Sequence, residues 1–197
     1  MGFQHGELLA DDLEAAAEWI DGSELALVEP LADYYGVMDE AYENSYPEVL
    51  DECQGLVDAF DDEIWGMDRC LMLAYGGVML ESLMEHLAYG CSQFVASGDA
   101  TTDGAVIHGR NLDWMMVEPI VDYPTLIVRH PTDGIPSVTY GFPGNISPYS
   151  GMNAAGISLA SNEAHGRTAP PGVGGDHTQM QRLLLDTAES LDDVWDY

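Results

Sequence analysis

Cys91-Ser92-Gln93-Phe94-Val95-Ala96-Ser97-Gly98 and Ala105-Val106-Ile107-His108-Gly109-Arg110-Asn111-Leu112-Asp113-Trp114 are two short runs of apolar and small residues, separated by the turn-rich segment Asp99 to Gly104. Runs of this length and texture predict paired β-strands. The first opens on a cysteine. The second ends with an arginine, an amide and a carboxylate inside four residues, and strands seldom carry that much polarity at one end without a use for it. The pattern predicts a nucleophilic Cys91 at the start of a strand, with Arg110, Asn111 and Asp113 around it.

Outward from this pair the texture differs on the two sides. Residues 1–90 read as helical. Leu8, Leu9, Leu13, Ala16, Ala17 and Ile20 recur at helical spacing, and Asp21-Gly22 closes that element. Leu25 to Val37 and Pro47 to Phe60 give two more helices, and Asp68 to Leu87 a longer apolar one that Gly76-Gly77 interrupts. Met67, Met72, Met79 and Met84 read as core filler. After Cys91 the pattern is short β-like runs, at Thr125 to His130, Ser137 to Phe142 and Gly156 to Asn162, with Thr132-Asp133-Gly134 as a hairpin connection. Sequential strands with short links favour an antiparallel sheet, hence an α+β fold. Pro170 to Gly175 reads as a loop and Thr178 to Ser190 as a helix. Ser190-Leu191-Asp192-Asp193 has the form of a capping box opening a further helix about two turns long. A helix that short is marginal alone, so the sequence reads as a fragment cut inside an element.

Composition bounds the partners. The chain has 197 residues, 46% of them hydrophobic, enough for one domain with a sizeable core. Acidic residues number 35 against five arginines and no lysine, and the net charge is −30. A basic face for phosphates is missing, which argues against nucleic acid. The acidity is spread along the chain and reads as a solvated surface adapted to high salt. No apolar run is long enough to span a membrane. The opening Met1-Gly2-Phe3-Gln4-His5-Gly6 has no basic start followed by an apolar stretch, so no signal peptide is visible and a cytoplasmic location is favoured. Three cysteines make no disulfide framework; Cys53 and Cys70, among apolar neighbours in helical segments, read as buried, inert thiols, a bridge between them being open but without a signal in its favour.

A thiol becomes a nucleophile when a base takes its proton. His86, His108, His130, His165 and His177 are the candidate bases, and none lies in a papain-type context. The other route uses the cysteine's own α-amine, whose ordinary pKa of about 7.7–8.0 suits general-base work. That route requires a break between Gly90 and Cys91, and a glycine there leaves its own carbonyl open to attack. The bland alternative is a structural cysteine that begins a strand. His165 and His177 could be read as a metal pair, but no carboxylate or cysteine spacing supports it, and both read as loop residues.

The block Cys91-Ser92-Gln93-Phe94 … His108-Gly109-Arg110-Asn111-Leu112-Asp113-Trp114 resembles the N-terminal-nucleophile (Ntn) amidohydrolases of the choloylglycine hydrolase superfamily, in the branch with isopenicillin N acyltransferase and acid ceramidase. Gly151-Met152-Asn153-Ala154-Ala155-Gly156-Ile157 followed by Asn162 resembles that family's Gly-x-Asn-x-x-Gly turn and next strand. Gly2-Phe3-Gln4-His5-Gly6-Glu7 resembles the start of its leading helical segment. The resemblance implies a four-layer αββα sandwich, of which this chain supplies an incomplete part: residues 1–90 as the helical leading segment and 91–197 as the N-terminal part of the catalytic domain. It implies self-cleavage between Gly90 and Cys91, with Cys91 as nucleophile, Asp113 holding the new α-amine, Arg110 beside the thiol and Asn162 at the oxyanion. Asn111 and Asn153 are candidates for a supporting shell, Asn153 with Gly156 as turn formers. The implied reaction is hydrolysis or acyl transfer at a linear carbon–nitrogen bond of an N-acyl amide, through a thioester, with acyl-coenzyme A a candidate donor. No cofactor or metal is expected, and the protein's own C-terminal half or a second subunit is expected as partner. The alternatives are a phospholipase B-like ester deacylase and an inactive fragment or partner subunit.

Overall fold

The computed structural model describes residues 1–60, 64–75, 90–113, 118–162 and 175–197. The fold is α+β: helices lead, and antiparallel sheets follow. Helices α1 (Gly2–Leu8) and α2 (Ala10–Asp21) are separate, because Leu9 leaves helical geometry at φ −119°, ψ 25°. The apolar stripe of α2, Leu13, Ala16, Ala17 and Ile20, is buried as its spacing predicts, and the helix ends at Asp21. The helix expected over Leu25 to Val37 is divided. A 3₁₀ turn (Glu24–Leu27), capped by Ser23, runs into α3 (Val28–Tyr34), and Gly36 at φ 74° then turns the chain into α4 (Val37–Asn44). A left-handed residue cannot continue a helix, and glycine takes that conformation without steric cost. Helices α5 (Pro47–Ala59) and α6 (Met67–Tyr75) complete the described helical part. Pro47 sits in the first turn of α5, where its missing N–H costs nothing. The Gly76-Gly77 interruption, the helix beyond it to Leu87, and the loop expected from Pro170 lie outside the described residues, apart from Gly175.

One core unites these helices, around Leu13, Ala32, Val49, Leu56, Trp65 and Leu71, all buried. Met72 is buried in it and Met67 packs against it, as filler. Cys53 on α5 and Cys70 on α6 are joined by a disulfide, which corrects the expectation of two inert thiols. Sequence supplies their separation of 17 residues but not that the two helices face each other there with Cα atoms 5.7 Å apart, inside the range a disulfide can bridge.

Strands β1 (Gly90–Gly98) and β2 (Gly104–Asp113) form an antiparallel hairpin, the expected pair. Strands β3 (Thr125–Arg129), β4 (Ser137–Gly141), β5 (Ser150–Asn153) and β6 (Ser158–Ala160) form a second, four-stranded antiparallel sheet in sequential order. The short helix α7 (Glu118–Asp122) precedes β3, and α8 (His177–Thr187) and α9 (Leu191–Asp196) follow the sheet. Asp176 caps α8 through Thr178 N–H and Gln179 N–H. The expected Ser190–Asp193 capping box opens α9. Register places Thr125, Ile127, Arg129, Thr139 and Gly151 on one face of the four-stranded sheet. That face meets the helices: Gly151 lies so close to Leu185 of α8 that an added Cβ would sit 2.6 Å from Leu185 Cδ1. Among the described residues no helix is long and apolar enough to cross a membrane.

Candidate functional site

Cys91 is the second residue of β1, half-buried, and the free cysteine. It pairs with Leu112, Gln93 with Arg110, and Gly90 with Asp113. Opposed residues of a ladder share a face and successive residues alternate, so Cys91, Gln93, His108 and Arg110 lie on one face of the hairpin. Arg110 Nη2 donates to Cys91 Sγ at 3.3 Å and to the Ser161 carbonyl oxygen, just past β6, at 2.9 Å. His108 Nδ1 lies 2.7 Å from Ser158 Oγ on β6, and its Nε2 lies 2.9 Å from Gln93 Oε1 on β1. A guanidinium N–H at the sulfur stabilises negative charge there, because a charge-assisted donor is about twice as strong as a neutral one. Arg110 Nε and Ser161 Oγ are both buried without a hydrogen-bond partner among the described residues, so the cluster retains unused polar capacity beside the thiol.

Asn111 and Asp113 occupy the opposite face of β2, where the Asn111 side-chain amide donates to the Asp113 carboxylate. Of the three polar residues expected around the thiol, Arg110 is in direct contact with it, Asn111 lies on the opposite face, and Asp113 approaches from the side of Gly90. A Cβ added to Gly90 would lie 3.5 Å from Asp113 Oδ2, which puts the carboxylate alongside the Gly90–Cys91 junction. Glycine also relieves that junction of a side chain at the ladder's end.

Asn162 is exposed, two residues beyond the end of β6. Asn153 is buried and makes a structural knot. Its Oδ1 accepts from Ala155 N–H and Ile157 N–H, and its Nδ2 donates to the carbonyls of Leu185 and Ala188 at the end of α8. Gly156, at φ 91°, closes the β5–β6 turn around it. His177 opens α8 as an exposed residue, with Nδ1 3.7 Å from Asp176 Oδ2; His86 and His165 lie outside the described residues. Gln93 and Ser161 join the thiol's surroundings without a motif of their own, and His108, one of the candidate bases, has its ring nitrogens against Gln93 and Ser158. The two-residue period of paired strands was signal enough for Gln93 and His108; the two serines come from a remote strand, which no local pattern reveals.

A second polar cluster lies between the helices and the sheet. Glu52 of α5 accepts from Arg182 of α8 at 2.9 Å and lies 3.5 Å from Arg129 Nη2 of β3, all three being buried. Burial alone would raise the Glu52 carboxyl, but the two guanidiniums hold it below the usual carboxylate range. His5 of α1 accepts from Gly144 N–H through Nε2 at 3.0 Å. Burial, then the Arg129 charge, push its imidazole down to about 4 against an opposing pull from Glu52. This cluster fastens α1, α5 and α8 to the sheet.

No protein-family model matches the chain. It is similar to an uncharacterized protein of Archaeoglobus fulgidus, 27% identical over 218 residues, an alignment that covers 98% of this chain and 36% of that protein. It is also similar to protein dcd1B of Dictyostelium discoideum, 26% identical over 146 residues, covering 68% of this chain and 29% of that protein. The chain thus spans 29% and 36% of the lengths of these curated relatives.

Proposed function

We propose that the protein is an N-terminal-nucleophile amidohydrolase or acyltransferase that acts on linear N-acyl amide bonds through Cys91. The observation that carries this reading is the hairpin end. Arg110 reaches the Cys91 sulfur from one face, and the Asp113 carboxylate flanks Gly90 from the other. In the first step Sγ adds to the Gly90 carbonyl carbon. The tetrahedral oxyanion collapses, the C–N bond breaks, and the Cys91 nitrogen takes a proton. Water then adds to the resulting thioester, releasing the Gly90 carboxyl and regenerating the thiol beside a free α-amine. In turnover that amine takes the thiol proton, Sγ attacks the substrate acyl carbon, and the ammonium returns the proton to the leaving amine. Water or an acceptor amine resolves the acyl thioester. In this reading Asp113, beside Gly90, holds the ammonium form of the amine, and Asn162, by resemblance, donates to the oxyanion.

The same reading assigns the chain to part of an αββα sandwich. Its support is a bare sheet face. Register puts Leu126, Val128, Val138, Tyr140 and Met152 on the side away from the helices, with Leu126 69% and Val128 64% exposed. A one-sided antiparallel sheet ordinarily turns polar residues to water. An apolar outer face fits packing against a second sheet, supplied by the rest of the polypeptide or by a partner subunit.

Denaturing gels and intact mass of the full-length protein and of Cys91→Ala test the reading. The expected result is two pieces divided before Cys91 in wild type and one chain in the variant. Division that persists in Cys91→Ala, or a wild type that stays whole, removes self-cleavage and with it this assignment.

A further inference from the structure

The hairpin and the four-stranded sheet are separate sheets. Two side-chain hydrogen bonds between described residues join them, both from the thiol face of β2: His108 Nδ1 with Ser158 Oγ, and Arg110 Nη2 to the Ser161 carbonyl. The Arg110 nitrogen that reaches Ser161 is also the one that reaches Cys91 Sγ. Its position therefore depends on how far β2 stands from the end of β6, and His108, two residues away on the same face, spans that gap. The ring is held on its other side as well. Gln93 Oε1 lies 2.9 Å from Nε2, while Ser158 Oγ lies 2.7 Å from Nδ1. One imidazole thereby links β1, β2 and β6.

We propose that His108 is a positioning residue: clasped to Ser158, it fixes the spacing of β2 and β6 and so holds Arg110 against the Cys91 sulfur. The proposal rests on Cys91 being the nucleophile, as read above, but its test reads the thiol directly and does not require turnover. Cys53 and Cys70 are bridged, so without reductant iodoacetamide alkylates Cys91 alone. The full chain, wild type and variant, is treated at neutral pH and the Cys91 adduct followed by mass.

His108→Ala and Ser158→Ala each slow alkylation by about three- to tenfold, the effect of releasing one hydrogen-bonded contact, and the double variant is no slower than either alone. His108→Asn, whose amide stands near the place of Nδ1, recovers most of the rate. In an Arg110→Ala background His108→Ala changes nothing further. A wild-type rate in both single variants overturns the proposal. So does a repeated loss in the Arg110→Ala background, or a His108→Asn as slow as His108→Ala, since ring bulk would then be what matters. If His108→Ala does not fold, Ser158→Ala, which removes one oxygen from a half-buried position, carries the comparison. Division before Cys91 is scored on the same samples. An undivided chain that shows this alkylation pattern removes the amidohydrolase reading and keeps the clasp; a divided chain without the pattern does the reverse.

Discussion

Among single residues, His5 has the sharpest consequence. Its unfolded value is near 6.5 and its folded value about 4, so between those limits the unfolded chain binds the proton and the folded one does not. The stability this gives is complete above pH ~6.5 and is lost as pH falls toward about 4, amounting to roughly 3 kcal/mol over the whole window. In urea unfolding at pH 7 and pH 5, wild type should lose about 2 kcal/mol more than His5→Gln, which keeps an acceptor for Gly144 N–H but does not titrate. Equal losses would mean that the ring is hydrated or charged in the fold. At this scale the sequence was partly readable. Cys91 and Arg110 stood out because strands rarely end in such polarity, and they do touch. Asn111 and Asp113 were grouped with them by adjacency, whereas strand alternation alone would have sent them to the other face. Nothing local linked His5 to Arg129 and Glu52, since that cluster is assembled from three distant elements.

Among elements, α1 and α5 meet backbone to backbone. A Cβ on Gly2 would fall 1.8 Å from the Glu52 carbonyl oxygen, one on Gly6 2.7 Å from Ala59 Cβ, and one on Gly55 3.0 Å from Phe3 N. Gly2 and Gly6, four apart, lie on one side of α1 and let the backbones meet. Gly2→Ala should force the helices apart and cost about 1–3 kcal/mol, as overpacking does. Gly175→Ala, with no described residue within 4 Å, should stay within about 0.5 kcal/mol in the same chemical denaturation. A neutral Gly2→Ala would show that α1 docks more loosely. The Gly2/Gly6 spacing was visible in the sequence, but what it packs on was not. The β1–β2 and β3–β4 hairpins were legible because turn residues separate apolar runs. Strand β5 was hidden, being four residues, Ser150–Asn153, with a glycine inside and a turn-forming asparagine at its end. Helix α4 was hidden because the apolar spacing before Gly36 led the eye across the break.

For the whole molecule, charge dominates. Among the described residues the arginines are already committed: Arg69 to Asp21 at 2.6 Å, Arg129 and Arg182 to Glu52, and Arg110 to the thiol and Ser161. With a net charge of −30 the surface repels itself, and screening shortens from ~10 Å at 0.1 M salt to ~3 Å at 1 M. The melting temperature should rise from low to molar KCl; a flat or falling curve would leave the acidity as a matter of solubility. The helical part has a covalent brace of its own, a 17-residue separation closed by Cys53–Cys70 and worth about 3 kcal/mol in the chain-entropy account. Both ends of that brace lie before Gly90. Between described residues, the side-chain ties across the Gly90–Cys91 boundary are non-covalent, among them Glu52 to Arg129 and Arg182, Gly144 N–H to His5, Thr178 Oγ1 to the Ala74 carbonyl at 3.1 Å, and Gln179 Nε2 to Ser45 Oγ at 3.1 Å. A chain cut at that boundary would become a heterodimer whose subunits share one buried ion cluster. Its unfolding would then follow mass action, with a midpoint that rises with protein concentration, although both subunits began as a single polypeptide.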